Sequence, residues 1–159
     1  MKQIPTRFLC TITKIPRIPV KETEFIPCLK KLLDESVPVM AVGLQSHWNI
    51  GDPTEQNLRD AIYKFSSPGL QIQVTEPDVS IYTSRTDTIN TGFTHEREQK
   101  QIDLYKMAFN FSREEKNVVT RVTFWNLSNR GSWLDNLTPR RGKHYPLLFG
   151  KNLKPKKVF

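Results

Sequence analysis

Apolar residues recur at helical spacing in three stretches of the chain, and each stretch predicts a helix. The stretches cover residues 25–33, 52–67 and 96–115. The second has a clear start, because Asp52 is a favourable N-cap residue and Pro53 suits the first helical position. The Pro-Gly pair that follows this stretch ends the helix.

A strand is predicted after each of these helices. The strands cover residues 37–45, 70–75 and 118–125, which are rich in apolar and β-branched side chains. Repeated helix-then-strand units predict parallel strands joined by right-handed crossovers, and so an open parallel sheet in an α/β fold. The polar stretch 83–94 is predicted to be a long loop. The sequence has neither a GxGxxG motif nor a Walker loop, so a nucleotide-binding version of this fold has no support.

Composition is typical of one globular domain. The chain has 159 residues, 37% of them hydrophobic and 25% charged, with a net charge of +8. No apolar run reaches the ~18 residues of a membrane span, and the first 13 residues lack the apolar core of a signal peptide. We therefore expect no membrane partner.

Positive charge is concentrated after Pro139, where no acidic residue occurs. We expect a solvated segment rather than a nucleic-acid site, because no aromatic platform or groove-reading helix accompanies the charges. The basic residues of this segment are Arg140, Arg141, Lys143, Lys151, Lys154, Lys156 and Lys157.

Cysteine and histidine spacing predicts neither a metal site nor a cofactor. Cys10 and Cys28 form no CxxC pair, and we interpret them as buried thiols, with one disulfide as the alternative. His95-Glu96 begins like a zinc-protease motif, but no histidine follows at the required spacing.

Polar and aromatic residues collect where the three predicted strands end. The first strand leads into Gln45 and His47, the second into Glu76 and Asp78, and the third into Trp125. Each residue alone is more often structural than functional, but parallel strands bring their carboxyl ends to one face. Carboxylates, an imidazole and indoles on one face suit a sugar, whose C–H faces stack on indole while its hydroxyls need polar partners.

Three segments at these strand ends resemble glycoside hydrolase family 10. They are residues 43–48 (GLQSHW), 74–79 (VTEPDV) and 122–126 (VTFWN), which are similar to the family's sixth, seventh and eighth strands. The resemblance extends from about Leu29 to Phe159, and residues 1–28 match poorly. It implies part of a (β/α)8 TIM barrel, from roughly strand five or six to strand eight. It also implies endo-1,4-β-xylanase activity on xylan or xylo-oligosaccharide.

The resemblance implies a role for each candidate residue. Glu76 matches the catalytic nucleophile, His47 the residue that hydrogen-bonds it, and Asp78 the carboxylate that orients the histidine. Gln45 matches a residue that holds the sugar at the cleavage subsite. The indoles of Trp125 and Trp133 match the walls of that subsite.

The family's second catalytic carboxylate has no counterpart in this sequence. A retaining glycosidase needs a general acid, which the family carries in a Trp-Asp-x-x-Asn-Glu motif after its fourth strand. A complete barrel also needs ~250 residues. The chain is therefore interpreted as the carboxyl-terminal half of a catalytic domain that is secreted or periplasmic in the family.

Two alternatives stay open. The chain is either part of a hydrolase or a non-catalytic product, meaning a xylan-binding remnant or a truncated or frameshifted reading frame. A frame error near residues 11–13 is one hypothesis for the poor match of the first residues. Pro77 and Asn129 also depart from the family, which usually has an aliphatic residue and an aspartate there. The oligomeric state is not predicted.

Overall fold

Parallel strands and the helices between them form the frame of the protein. The computed structural model describes residues 8–12, 19–84, 87, 92–137 and 142–159, with the backbone alone for residues 8–12, 19–24 and 137. The elements in chain order are β1 (Phe8–Ile12), α1 (Pro19–Asp34), β2 (Val39–Leu44), β3 (His47–Asn49), α2 (Glu55–Ser66), β4 (Gln71–Thr75), β5 (Asp78–Ser80), α3 (His95–Glu114), β6 (Val119–Thr123), a 3-10 turn (Asn129–Gly131) and α4 (Leu134–Leu137).

The main sheet has the order β1-β2-β4-β6, and every neighbouring pair is parallel. The three predicted helix-then-strand units are confirmed as α1-β2, α2-β4 and α3-β6. Two features were not predicted. The strand β1 pairs with β2 and forms the amino-terminal edge, and β3 and β5 form a separate two-stranded parallel sheet.

The helices cover one face of the main sheet. In β4 the burial alternates, because Ile72 and Val74 are buried in the core while Gln71 is exposed and Gln73 is half-buried. The buried face packs against α2, whose Phe65 is fully buried. Burying such a side chain contributes about 1.5–3 kcal/mol. The opposite face carries the glutamines of β4, whereas β2 contributes the buried Ala41 and Gly43 to it.

The start of α2 differs from the prediction. Thr54, rather than Asp52, is the N-cap residue, and its hydroxyl accepts a hydrogen bond from Asn57 N at 3.1 Å. The Asn57 side chain accepts in return from Thr54 N at 3.3 Å, which completes a capping box. The helix begins two residues later than predicted because Thr54 satisfies the free backbone donors of the first turn.

The expectation for Cys28 was wrong. Its thiol is free and exposed on α1, because the adjacent Leu29 is the residue that packs into the core. The Cys10 side chain lies outside the described residues. Among the described helices, none has the length and apolar character needed to cross a membrane.

The basic carboxyl-terminal segment is solvated only in part. Lys151 and Lys154 are exposed, as expected, and Lys157 pairs with Glu98 at 3.1 Å. Lys156 contradicts the expectation, because its ammonium group is turned toward backbone carbonyls of the chain itself. Arg140 and Arg141 lie outside the described residues, as does part of the predicted 83–94 loop.

The capping box gives a first testable prediction. Thr54→Ala removes the acceptor for Asn57 N and should lower the free energy of unfolding by about 1 kcal/mol. Urea unfolding measures the change. Ser67→Ala, at the other end of the same helix, is the matched control and should change stability by a few tenths of that amount. Equal losses in the two variants would contradict the assignment of Thr54 as the cap.

Candidate active site

Two strands of the main sheet lead into a residue with left-handed backbone geometry. Ser46 lies beyond β2 with a φ of 41°, and Glu76 directly follows β4 with a φ of 65°. Non-glycine residues rarely adopt this conformation, which costs about 1–3 kcal/mol. Each of these residues turns the chain out of the main sheet, so that β3 and β5 begin within two residues.

Hydrogen bonds hold both turns in place. Glu76 N donates to Thr123 O at 2.6 Å and so attaches the turn after β4 to β6. Asp78 N donates to Ser46 O at 3.3 Å and joins the two turns. Pro77 lies between these two donors, at a position where its missing N–H leaves both of these bonds intact. The strained turns are therefore fixed from neighbouring strands.

The small sheet places an imidazole against a carboxylate. In the parallel pair β3–β5, His47 lies directly opposite Asp78. His47 Nδ1 is 3.0 Å from Asp78 Oδ2, and His47 Nε2 is 3.4 Å from Glu76 Oε2. The structure thus brings together the three residues for which the sequence suggested catalytic roles. Glu76 and Asp78 both contact His47. The left-handed turn at Glu76 separates β4 from β5, so the two residues do not belong to one continuous strand.

Asp78 is the buried end of this chain of contacts. Its side chain is 1% exposed, and its Oδ2 also accepts a hydrogen bond from Trp133 Nε1 at 2.8 Å. Among the described residues, no group hydrogen-bonds its other oxygen, Oδ1. A buried carboxylate with few donors favours a positively charged neighbour, because an unpaired charge is costly away from water.

The two carboxylates raise the pKa of His47 above 6.5. Burial alone lowers this pKa, but the hydrogen bond and charge of Asp78, together with the charge of Glu76, outweigh it. The raised pKa extends to higher pH the range in which His47 is an imidazolium, the form in which both ring nitrogens are donors.

Of the other predicted residues, Trp133 contacts this group, and Gln45 and Trp125 follow β2 and β6 in the chain. The Trp133 ring lies 4.7 Å from the His47 ring, so this indole contacts both His47 and Asp78. Trp125 follows β6 and is 56% exposed, which leaves its ring available to a ligand. Gln45 lies directly after β2 and is half-buried.

Sequence reasoning missed the backbone partners of the site. Thr123 O and Ser46 O accept the hydrogen bonds that fix Glu76 and Asp78, and no side-chain pattern indicates such carbonyls. Within the described part of the chain, no three histidine, cysteine or acidic residues are grouped so that they could hold a metal ion.

Comparison with known proteins identifies the family. The model for "Glycosyl hydrolase family 10" matches residues 14–159. The chain belongs to this family. A β-1,4-xylanase of Dictyoglomus thermophilum is 42% identical over 142 residues, which cover 89% of this chain and 40% of that protein. The chain thus spans about two-fifths of the length of this relative.

Solved structures of family 10 have the same arrangement of elements. A family 10 structure from Paenibacillus barcinonensis has a TM-score of 0.86 at 30% identity and covers 94% of this chain and 43% of that one. A mutant structure in complex with xylotriose has a TM-score of 0.81 at 37% identity, with coverages of 96% and 46%. The parallel sheet of this family 10 chain is accordingly part of a (β/α)8 barrel, as the resemblance implied.

The contacts of His47 give a second prediction. The imidazole should titrate in NMR with a midpoint above 6.5. Asp78→Asn and Glu76→Gln should each lower the midpoint, because each removes a negative charge beside the ring. Glu96→Gln, on the exposed first turn of α3, is the control and should leave it unchanged. A midpoint that is the same in all four proteins would contradict the geometry.

The same pKa shift predicts how stability depends on pH. Because folding raises the pKa of His47, its contribution to stability is fully present below pH 6.5 and is lost as the pH rises through the folded-state value. The difference in unfolding free energy between the wild type and His47→Gln should therefore shrink as the pH rises from 6 to 9. Chemical unfolding across this range measures it, and a difference that grows with pH would contradict the charged pair.

Proposed function

We propose that this chain supplies the nucleophile of a retaining family 10 enzyme that hydrolyses internal β-1,4-xylosidic bonds in xylan. The observation that carries the proposal is the position of Glu76 at the carboxyl end of β4, with its carboxylate facing the imidazole of His47. Active sites of (β/α)8 barrels lie at this end of the strands. The xylanase relative and the xylotriose-bound structure support xylo-oligosaccharide as the ligand.

Glu76 is suited to attack the anomeric carbon. Its side chain is 18% exposed, so one carboxylate oxygen can contact His47 while the group still faces the ligand side. The contact with the His47 imidazole restricts the orientation of this carboxylate, which a carboxylate nucleophile requires. As Glu76 bonds to the anomeric carbon the glycosidic bond breaks, and its oxygen leaves with a proton from the general acid. Water, deprotonated by the same residue, then hydrolyses the glycosyl-enzyme and frees Glu76.

Asp78 is unsuited to the second catalytic role. A general acid must reach the glycosidic oxygen, and in retaining enzymes its carboxyl group lies roughly 5–5.5 Å from that of the nucleophile. The Asp78 side chain is 1% exposed, and His47 and Trp133 both occupy its Oδ2. We therefore infer that Asp78 orients His47. The general acid then belongs to the barrel strands that precede this chain in the family.

The indoles and Gln45 are suited to hold the sugar. Trp125 offers an exposed ring for the C–H face of a xylose unit. The Trp133 ring packs against His47, the residue that contacts the proposed nucleophile. Gln45 can both donate and accept hydrogen bonds to sugar hydroxyls. Binding without hydrolysis, by this chain alone, is the alternative function that the missing acid favours.

A hybrid enzyme tests the proposed nucleophile. In this hybrid, the part of the Dictyoglomus thermophilum xylanase that this chain does not cover is fused in front of all 159 residues. We expect the hybrid to hydrolyse xylan. Glu76→Gln should lower kcat/KM by at least about 1,000-fold, equivalent to about 4 kcal/mol of transition-state stabilisation.

Glu35→Gln is the matched control, because it makes the same chemical change on an exposed helix end. It should leave the activity of the hybrid unchanged. An active hybrid in which Glu76→Gln has no more effect than Glu35→Gln would refute the nucleophile. A folded hybrid without any activity on xylan would refute the proposed function.

The isolated chain should behave differently from the hybrid. General acid catalysis contributes ~10²–10⁴ in rate, and substrate positioning contributes up to ~7–11 kcal/mol of a barrier. We therefore expect the 159-residue chain alone to leave polymeric xylan intact. Aryl xylosides with activated leaving groups should show at most trace turnover, abolished by Glu76→Ala. Rapid xylan cleavage that Glu76→Ala does not reduce would contradict this.

A further inference from the structure

The carboxyl-terminal segment of the chain lies alongside β5. Val79 N donates to Pro146 O at 3.1 Å, and Ile81 N donates to His144 O at 3.2 Å. The hydroxyl of Tyr105, on α3, also donates to Pro146 O, at 2.7 Å. The segment 144–147 is therefore bonded to the strand that begins with Asp78.

The ammonium group of Lys156 closes this segment on itself. Lys156 Nζ donates to Tyr145 O at 2.7 Å, to Leu147 O at 3.0 Å and to Gln101 Oε1 at 2.6 Å. Three acceptors use all three N–H groups of an ammonium. Burial lowers the pKa of Lys156 to about 8, although the charge of Glu98 acts in the opposite direction. The ammonium group of Lys156 thus loses part of its contact with water and gains these three hydrogen bonds.

Gln101 extends the contacts of Lys156 to β5. Its side chain is fully buried on α3. While its oxygen accepts from Lys156, its nitrogen donates to Val79 O at 2.6 Å and to Tyr145 O at 2.9 Å. Val79 is the residue after Asp78. The network therefore reaches the residue directly bonded to Asp78, the carboxylate that orients His47.

The carboxyl-terminal segment also hydrogen-bonds to the loop between β6 and α4, which carries Trp133. The indole of Trp133 is, with His47, the second group that contacts the Asp78 carboxylate. Asn129 Oδ1 accepts from Leu147 N at 2.8 Å, and Asn129 N donates to Phe149 O at 3.0 Å. The loop continues to Trp133, whose indole nitrogen donates to Asp78. The carboxyl-terminal segment consequently contacts both β5 and the loop of Trp133.

We propose that Lys156 is a positioning residue, which fixes Asp78, and through it His47 and Glu76, by holding the carboxyl-terminal segment against β5. The proposal deepens the proposed function and rests on it for the effect on catalysis. Lys156 touches no reacting atom. It acts through Gln101 and the carbonyls of Tyr145 and Leu147.

The NMR titration of His47 in the 159-residue chain tests the position of Asp78 directly. Lys156→Met removes all three hydrogen bonds and should lower the His47 midpoint toward 6.5, because Asp78 moves away from the ring. The direction in which the His47 midpoint changes distinguishes movement of Asp78 from simple loss of charge. Loss of a positive charge by itself would raise the pKa of His47, so a lowered midpoint reports movement of Asp78.

Lys157→Met is the matched control. It removes the same charge one residue later, where the side chain is 69% exposed and pairs only with the half-buried Glu98 among the described ion pairs. We expect no lowering of the His47 midpoint. Lys156→Gln keeps a hydrogen-bond donor and should give an intermediate midpoint. If Lys156→Met does not fold, Lys156→Gln tests the proposal in its place. Thermal unfolding shows which variants are folded.

A folded Lys156→Met or Lys156→Gln variant with an unchanged or raised His47 midpoint would overturn the proposal. In the hybrid enzyme, Lys156→Met should lower kcat by about tenfold to a hundredfold with little change in KM, as expected for a displaced catalytic group. Lys157→Met should keep full activity. An inactive hybrid would refute the proposed function alone, since the His47 titration does not depend on turnover.

Discussion

One imidazole held between two carboxylates is the constraint on which the site depends. His47 can contact Asp78 and Glu76 together only if β3 and β5 are parallel and in the observed register. That register in turn requires the chain to leave the main sheet at equivalent points after β2 and β4. The parallel sheet provides these points, because neighbouring strands of the same direction end at the same edge.

The left-handed turns at Ser46 and Glu76 are costly, and the surrounding strands offset the cost. Backbone strain of about 1–3 kcal/mol at each residue persists only when neighbouring structure determines the conformation. Thr123 O accepts from Glu76 N, and Ser46 O accepts from Asp78 N, so both turns are attached to another turn or strand. The side chain of Glu76 lies 3.4 Å from His47. The residue with the strained backbone is therefore also the proposed nucleophile.

The sequence predicted those parts of the fold that depend on periodicity or on side-chain chemistry. The burial of β4 follows the alternation of its residues, and the candidate residues His47, Glu76 and Asp78 meet because their strands are parallel. Features that depend on backbone geometry were missed, including β3 and β5, only three residues each. The contacts of Lys156 were missed because the nearby Lys154 and Lys157 are exposed, whereas its acceptors lie 9 to 55 residues away.

The identity of the nucleophile can be read directly by covalent labelling. A xylobioside with fluorine at carbon 2 and a dinitrophenolate leaving group forms the glycosyl-enzyme but slows its hydrolysis, because fluorine destabilises the oxocarbenium-like transition state. Mass spectrometry of the labelled hybrid enzyme should find one fluorinated disaccharide, on the peptide containing Glu76. The label should be absent from Glu76→Gln. Stoichiometric labelling of an active hybrid at any other residue would contradict the account.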